Sequence, residues 1–91
     1  MSWLGYRQER VTPTDLVLRR DNNTDRLEVM HAEPKIRVAA ELLEDLRAGG
    51  GHRDVTLDGD VLTINATNQR VIYRIGQYDP LRDCYSAEWP D

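Results

Sequence analysis

The segment from Val55 to Ile75 constrains the fold most, because its apolar side chains recur at every second position across two turn signals. Asp58-Gly59 suits a two-residue hairpin turn, since glycine accepts the positive φ that such turns demand. Closing the chain there sets Val55 opposite Leu62, Thr56 opposite Val61 and Leu57 opposite Asp60, so that Val55, Leu57, Leu62 and Ile64 share one face. A four-residue loop at Ala66-Thr67-Asn68-Gln69 then places Ile64 against Val71 and Leu62 against Tyr73. That pairing extends the same face by Val71, Tyr73 and Ile75. A slip of one residue in either turn would send half of these side chains to the other side, so their agreement predicts a β-meander with a single face to bury.

Something must cover that face. Pro34 to Arg47 reads as one long helix: Pro34 stands where a missing N–H costs nothing, and Gly49-Gly50-Gly51 supplies residues that accept left-handed geometry at the end. Ile36, Ala39, Ala40, Leu43 and Leu46 then form one apolar stripe, with Lys35, Arg37, Glu41, Glu44 and Asp45 mostly on the other side. Beyond the meander, Gly76 and the Asp79-Pro80 step interrupt the chain, and Cys84 to Trp89 alternates again as a short last strand.

The N-terminal third supports two readings. Residues 16–20 and 26–30 flank Asp21-Asn22-Asn23-Thr24, and a loop there pairs Leu18 with Leu27 and Leu16 with Val29 as a hairpin. The rival reading opens a short helix at Thr12-Pro13-Thr14-Asp15, with threonine as cap, proline at the first position and an acid at the third. With the hairpin, the predicted architecture is α+β: an antiparallel sheet of about five to six strands with one long helix on one face, in the order ββαβββ with a possible further C-terminal strand.

Ninety-one residues suffice for a single core, so residues 1–91 are read as one domain. A composition 40% hydrophobic and 31% charged is that of a folded soluble chain. No apolar run reaches membrane-spanning length, and MSWLGYRQER lacks the pattern of a secretory leader. The expectation is a cytoplasmic protein with no membrane partner, in a host's cytoplasm if phage-encoded. The lone Cys84 fits a reducing compartment. Eleven arginines stand against one lysine, and phenylalanine is absent; both follow from GC-rich codons and point to a high-GC bacterium such as an actinomycete, or to its phage. Net charge is −4 and uneven: residues 1–40 hold seven basic and six acidic side chains, residues 41–91 five and ten. An acidic half repels phosphate backbones, which disfavours nucleic acid as partner unless arginines cluster on the other half.

Arg70-Val71-Ile72-Tyr73-Arg74-Ile75 resembles a strand of the RelE/ParE toxins, which cut messenger RNA on the ribosome. The resemblance implies a compact antiparallel sheet packed on helices, with a basic surface toward RNA carried by Arg70, Tyr73 and Arg74. It covers six residues, with Val61 to Asn65 as a neighbouring strand. The rest departs from the family: one long helix precedes the sheet, the chain is acidic, and GQYDPLRDCYSAEW follows where the toxins have a basic strand. The segment is therefore read as an ordinary central strand with Tyr73 in the core.

Other chemistry is absent from the pattern. His31 and His52 have no cysteine or carboxylate at ligand spacing, so neither a metal site nor a cofactor is expected. Asp58 and Asp60 flank a turn glycine, where aspartates belong for local hydrogen bonding. Gly49-Gly50-Gly51 follows a helix instead of opening one and cannot cradle a phosphate. Cys84 lacks a histidine partner and reads as a small buried hydrophobe.

What stands out is the aromatic set: every aromatic is tyrosine or tryptophan, side chains that bury area while tolerating water at one end. Trp3, Tyr6, Tyr78, Tyr85 and Trp89 come from the two ends of the chain and form the candidate partner-binding set. The alternative is that the two tryptophans seal the edges of a small core. Arg7, Arg10, Arg19, Arg20 and Arg26 would serve a nucleic-acid role. The expected function is a non-catalytic protein-binding or regulatory module, such as an inhibitor of host machinery, whose partner is a protein or a second copy of itself. A nucleic-acid-binding protein, a phage structural component and a RelE-like ribonuclease are the alternatives.

Overall fold

The computed structural model describes residues 5–13, 15–21, 33–49, 55–66 and 69–90. Among the described residues seven strands form one curled sheet, a half-barrel: β1 (Gly5–Thr12), β2 (Asp15–Asp21), β3 (Lys35–Ala39), β4 (Val55–Asp58), β5 (Val61–Ala66), β6 (Gln69–Asp79) and β7 (Cys84–Glu88), with one helix, α1 (Ala40–Arg47), after β3. The spatial order is β1-β2-β3-β7-β6-β5-β4. The β2–β3 pair is parallel and the other five pairs are antiparallel.

This overturns the expected long helix on an antiparallel sheet of five to six strands. The predicted helix divides at Ala39. Ile36 and Val38 alternate with Lys35 and Arg37, and the segment lies between β2 and β7 with ladder partners on both sides. Apolar residues at 36, 38 and 39 satisfy a two-residue period as well as a helical one, and β-branched Ile36 and Val38 lose less in a strand. Only eight residues remain helical. Ala39 at the N-cap offers no side-chain acceptor, and the first turn is held by the Ala40 N–H donating to the Asp83 carbonyl at 3.0 Å. At the other end Gly49, at φ 84°, takes the left-handed conformation expected of it.

The N-terminal hairpin also differs. β2 covers the predicted strand 16–20, but it pairs with β1, matching Tyr6 with Arg20 and Gln8 with Leu18. Thr12 and Asp15 are strand residues paired with each other, so no helix starts there. The proposed partner strand 26–30 lies outside the described residues.

In the meander the predicted face is present while one register is corrected. The β4–β5 turn centres on Gly59-Asp60, so Val55 faces Ile64, Thr56 faces Thr63 and Leu57 faces Leu62. Gly59 holds φ 64°. Moving the turn by one residue shifts each partner by two, which preserves the side to which each side chain points. The β5–β6 register is the expected one, with Ile64 on Val71 and Leu62 on Tyr73. Along β6, Ile75 faces Ala87 and Tyr78 faces Tyr85, so Gly76 and Gln77 both lie opposite Ser86, a β-bulge.

The concave face carries the core: Tyr6, Leu16, Leu18, Ile36, Val38, Val55, Leu62, Ile64, Val71, Tyr73, Ile75 and Ala87, closed by Leu42 and Leu43 of α1. The convex face carries Arg7, Glu9, Asp15, Arg19, Arg37, Arg74 and Glu88. Among the described residues no helix is long and apolar enough to cross a membrane.

Candidate functional site

The β6–β7 hairpin ends in the turn Asp79-Pro80-Leu81-Arg82-Asp83, and its local chemistry fixes the backbone. The Asp79 carboxylate accepts from the Leu81 N–H at 3.0 Å and from Arg82 at 3.0 Å. Pro80 pre-sets φ for a turn, and Asp83 takes a left-handed φ of 54°, a conformation aspartate tolerates better than most residues. The Tyr78 hydroxyl donates to Asp83 at 2.5 Å, and the Cys84 thiol donates to the Arg82 carbonyl at 3.3 Å.

The turn is also tied to the convex face. Arg37 of β3 contacts Asp15 of β2 at 2.5 Å and Asp79 at 3.5 Å, while Arg82 contacts Asp15 at 3.3 Å and Asp79 at 3.0 Å. Two arginines and two aspartates thus close a neutral ring across β2, β3 and the turn, with Asp15 only 13% exposed. Exposed ion pairs stabilise little singly, but a shared network limits the geometries available. Arg82 holds the Asp79 carboxyl below its usual range, and Asp79 raises the Arg82 guanidinium in turn. The Asp83 carboxylate pushes the Tyr78 phenol up to about 12.

This framework holds out Leu81, 93% exposed. On the same hairpin the Tyr78 ring, 45% exposed, lies 5.0 Å from the Tyr85 ring, and the Arg47 guanidinium sits 5.9 Å over Tyr85. The bulge makes this arrangement: without the extra residue, Tyr78 would point to the convex side. The Ser86 hydroxyl accepts from the Gln77 N–H at 3.0 Å to hold it, and Gly76 leaves space for that hydroxyl.

The sequence-predicted residues scatter. Trp3 and Arg26 lie outside the described residues. Tyr6 is fully buried in the core, three strands from Tyr85, so it belongs to no surface with it. Tyr78 and Tyr85 do come together, at the hairpin tip. Trp89 follows the opposite end of β7, where its N–H donates to the Pro34 carbonyl at 3.0 Å. The Tyr73 hydroxyl, on which the Trp89 side chain acts to lower the phenol pKa against the rise from burial, donates to the Glu33 carbonyl at 2.8 Å. Trp89 thus stands at the end of the sheet away from the hairpin tip and stays 43% exposed.

The arginines form ion pairs: Arg10 with Glu33, Arg20 with Asp45, and Arg19 with Glu9 at 2.9 Å. Arg70 bonds Asn65 and Arg74 lies 3.5 Å from Asp60 on the exposed side of β6, while Tyr73 is buried as expected of a core residue. Burial pushes the Cys84 thiol up, away from the thiolate a nucleophile requires. His31 and His52 lie outside the described residues, and no group of three or more histidine, cysteine or carboxylate side chains among the described ones could hold a metal ion. A cleft of about 210 Å³ lies along Lys35, Arg37, Ser86 and Glu88, and another of about 220 Å³ along Arg19, Ala39, Glu41 and Arg82. The arginines of both are already ion-paired.

Leu81 is the residue that sequence reasoning missed. Asp79-Pro80 announced a turn, but which side chain a turn projects depends on how it is anchored. No family model, curated protein or solved structure matches this chain.

Proposed function

We propose that the chain is a non-catalytic protein-binding module whose contact surface is the β6–β7 hairpin tip, with Leu81 as the central anchor and Tyr78, Tyr85 and Arg47 beside it. The observation that supports this reading is a large apolar side chain 93% exposed on a turn whose backbone is already bonded in place. A single exposed leucine is unremarkable on a loose loop. On a turn anchored by Asp79, Arg82 and Asp83 its ordering entropy is largely lost before binding, and this preorganisation favours affinity. Tyrosine and arginine alongside are the residue types that carry interface energy. The complementary surface would be an apolar socket with acceptors for Arg47. The arginine-rich, lysine-poor composition suggests a high-GC bacterium or its phage as source, and a regulator or inhibitor of a host protein is the corresponding role.

The test uses the tagged full chain as bait in an actinomycete lysate, with Leu81→Asp and Val11→Asp compared at equal loading. Both sites are exposed, so both variants should fold with an unchanged melting temperature. Partners identified by mass spectrometry should be retained by Val11→Asp and lost with Leu81→Asp. Partners captured equally by both variants would refute the tip as the contact surface.

A further inference from the structure

We infer that β1 is a self-association edge, and that two copies of this chain pair antiparallel through it in a register centred on Gln8. This rests on a different strand from the proposed tip and is independent of it.

Among the described residues β1 ends the sheet, eight residues long and paired on one side by β2. Long edges invite another strand, and proteins commonly guard them with charges of one sign or with proline. Here the convex side of the edge carries both signs, Arg7 and Glu9, on either side of Gln8. Two copies of one strand pairing across a two-fold axis must set one residue opposite itself, and only residues on the same face can meet. Centring on Arg7 would face arginine with arginine, and centring on Glu9 would face glutamate with glutamate. Centring on Gln8 sets Arg7 opposite Glu9 of the second copy, twice. Charge therefore selects one register out of the neighbouring set.

The single chain also lacks what the second copy would bring. Arg7 stands directly across from Arg19, a like-charge pair, and Glu9, the carboxylate paired with both among the described residues, lies 2.9 Å from Arg19 but 4.0 Å from Arg7. The Arg7 Nε is buried with no acceptor among the described residues. In the paired register each copy's Glu9 reaches the other's Arg7.

Sedimentation velocity on the full chain across the micromolar range tests this. The parent should be a dimer whose dissociation constant rises with added salt, because the cross-edge pairs are partly exposed. Arg7→Glu should weaken association by about tenfold or more, since it replaces two favourable pairs by two repulsive ones. That variant relieves the Arg7–Arg19 contact within one chain, so its melting temperature at low protein concentration should hold or rise. The exchange Arg7→Glu with Glu9→Arg should restore the dimer. A monomeric parent, a dimer indifferent to salt, an Arg7→Glu protein that dimerises like the parent, or a folded exchange variant that stays monomeric would each overturn the inference.

Discussion

Gly76→Ala should destabilise the protein, and removing one neighbouring oxygen should reverse the sign of its effect. A Cβ built on Gly76 would sit 2.4 Å from the Ser86 hydroxyl oxygen, whereas the next nearest atoms lie at 3.7 Å, an ordinary contact. That oxygen accepts the Gln77 N–H at 3.0 Å and so holds the bulge that turns Tyr78 toward Tyr85. Alanine at 76 forces the hydroxyl away and forfeits a bond contributing about 0.5–1.5 kcal/mol, with roughly 0.5–1.5 kcal/mol more for the displaced side chain. Against this stands the gain of about 0.4–1 kcal/mol from a less flexible unfolded chain, because the φ of Gly76 is outside the left-handed region. The net cost in the parent is then between about 0 and about 2.6 kcal/mol, centred on about 1.3 kcal/mol. In a Ser86→Ala background the obstruction is gone and only the gain of about 0.4–1 kcal/mol remains. Urea unfolding of the four proteins, followed by tryptophan fluorescence, measures the coupling directly. An equal cost for Gly76→Ala in both backgrounds would refute the assignment of Ser86 as the contact that holds the bulge.

Two further outcomes can be checked on the same purified protein. Leu43 of α1 is fully buried, so Leu43→Ala should cost about 2–5 kcal/mol, while Val61→Thr on the convex face, where Val61 is 40% exposed, should stay within about 0.5 kcal/mol in the same denaturation assay. In an ultraviolet titration Tyr78 should ionise near 12 instead of 10.0, with that late step absent from Tyr78→Phe and moved toward 10.0 in Asp83→Asn. Its pKa is raised on folding, so its contribution to stability is complete below pH 10.0 and lost as pH rises toward about 12.

The sequence revealed the candidate site in part. Tyr78 and Tyr85 were legible as amphipathic aromatics, and Asp79-Pro80 as a turn. Their meeting depends on the bulge at Gly76-Gln77, which reverses the side to which Tyr78 points. An isolated glycine in a strand pattern is compatible with a bulge but does not say where the ladder resumes. Tyr6 shows the opposite failure. A tyrosine near a chain end reads equally as surface or core, and only the pairing of β1 with β2 decides that it is buried.

Local alternation and turn chemistry determined the meander by themselves. Side chains alternate strictly along a strand, so even a misplaced turn at Asp58-Gly59 left Val55, Leu57, Leu62 and Ile64 on the correct face. The same holds for the left-handed glycine at the end of α1, which answers to sterics within its own residue. The tertiary structure alone decided the fate of Pro34 to Ala39. Its apolar residues suit a helix or a strand about equally, and the outcome turned on β2 and β7 supplying ladder partners on both sides, an interaction between segments up to some fifty positions apart. Parallel pairing of β2 with β3 and the ring of Asp15, Arg37, Asp79 and Arg82 follow from that one choice, because each requires β3 to be a strand between β2 and β7.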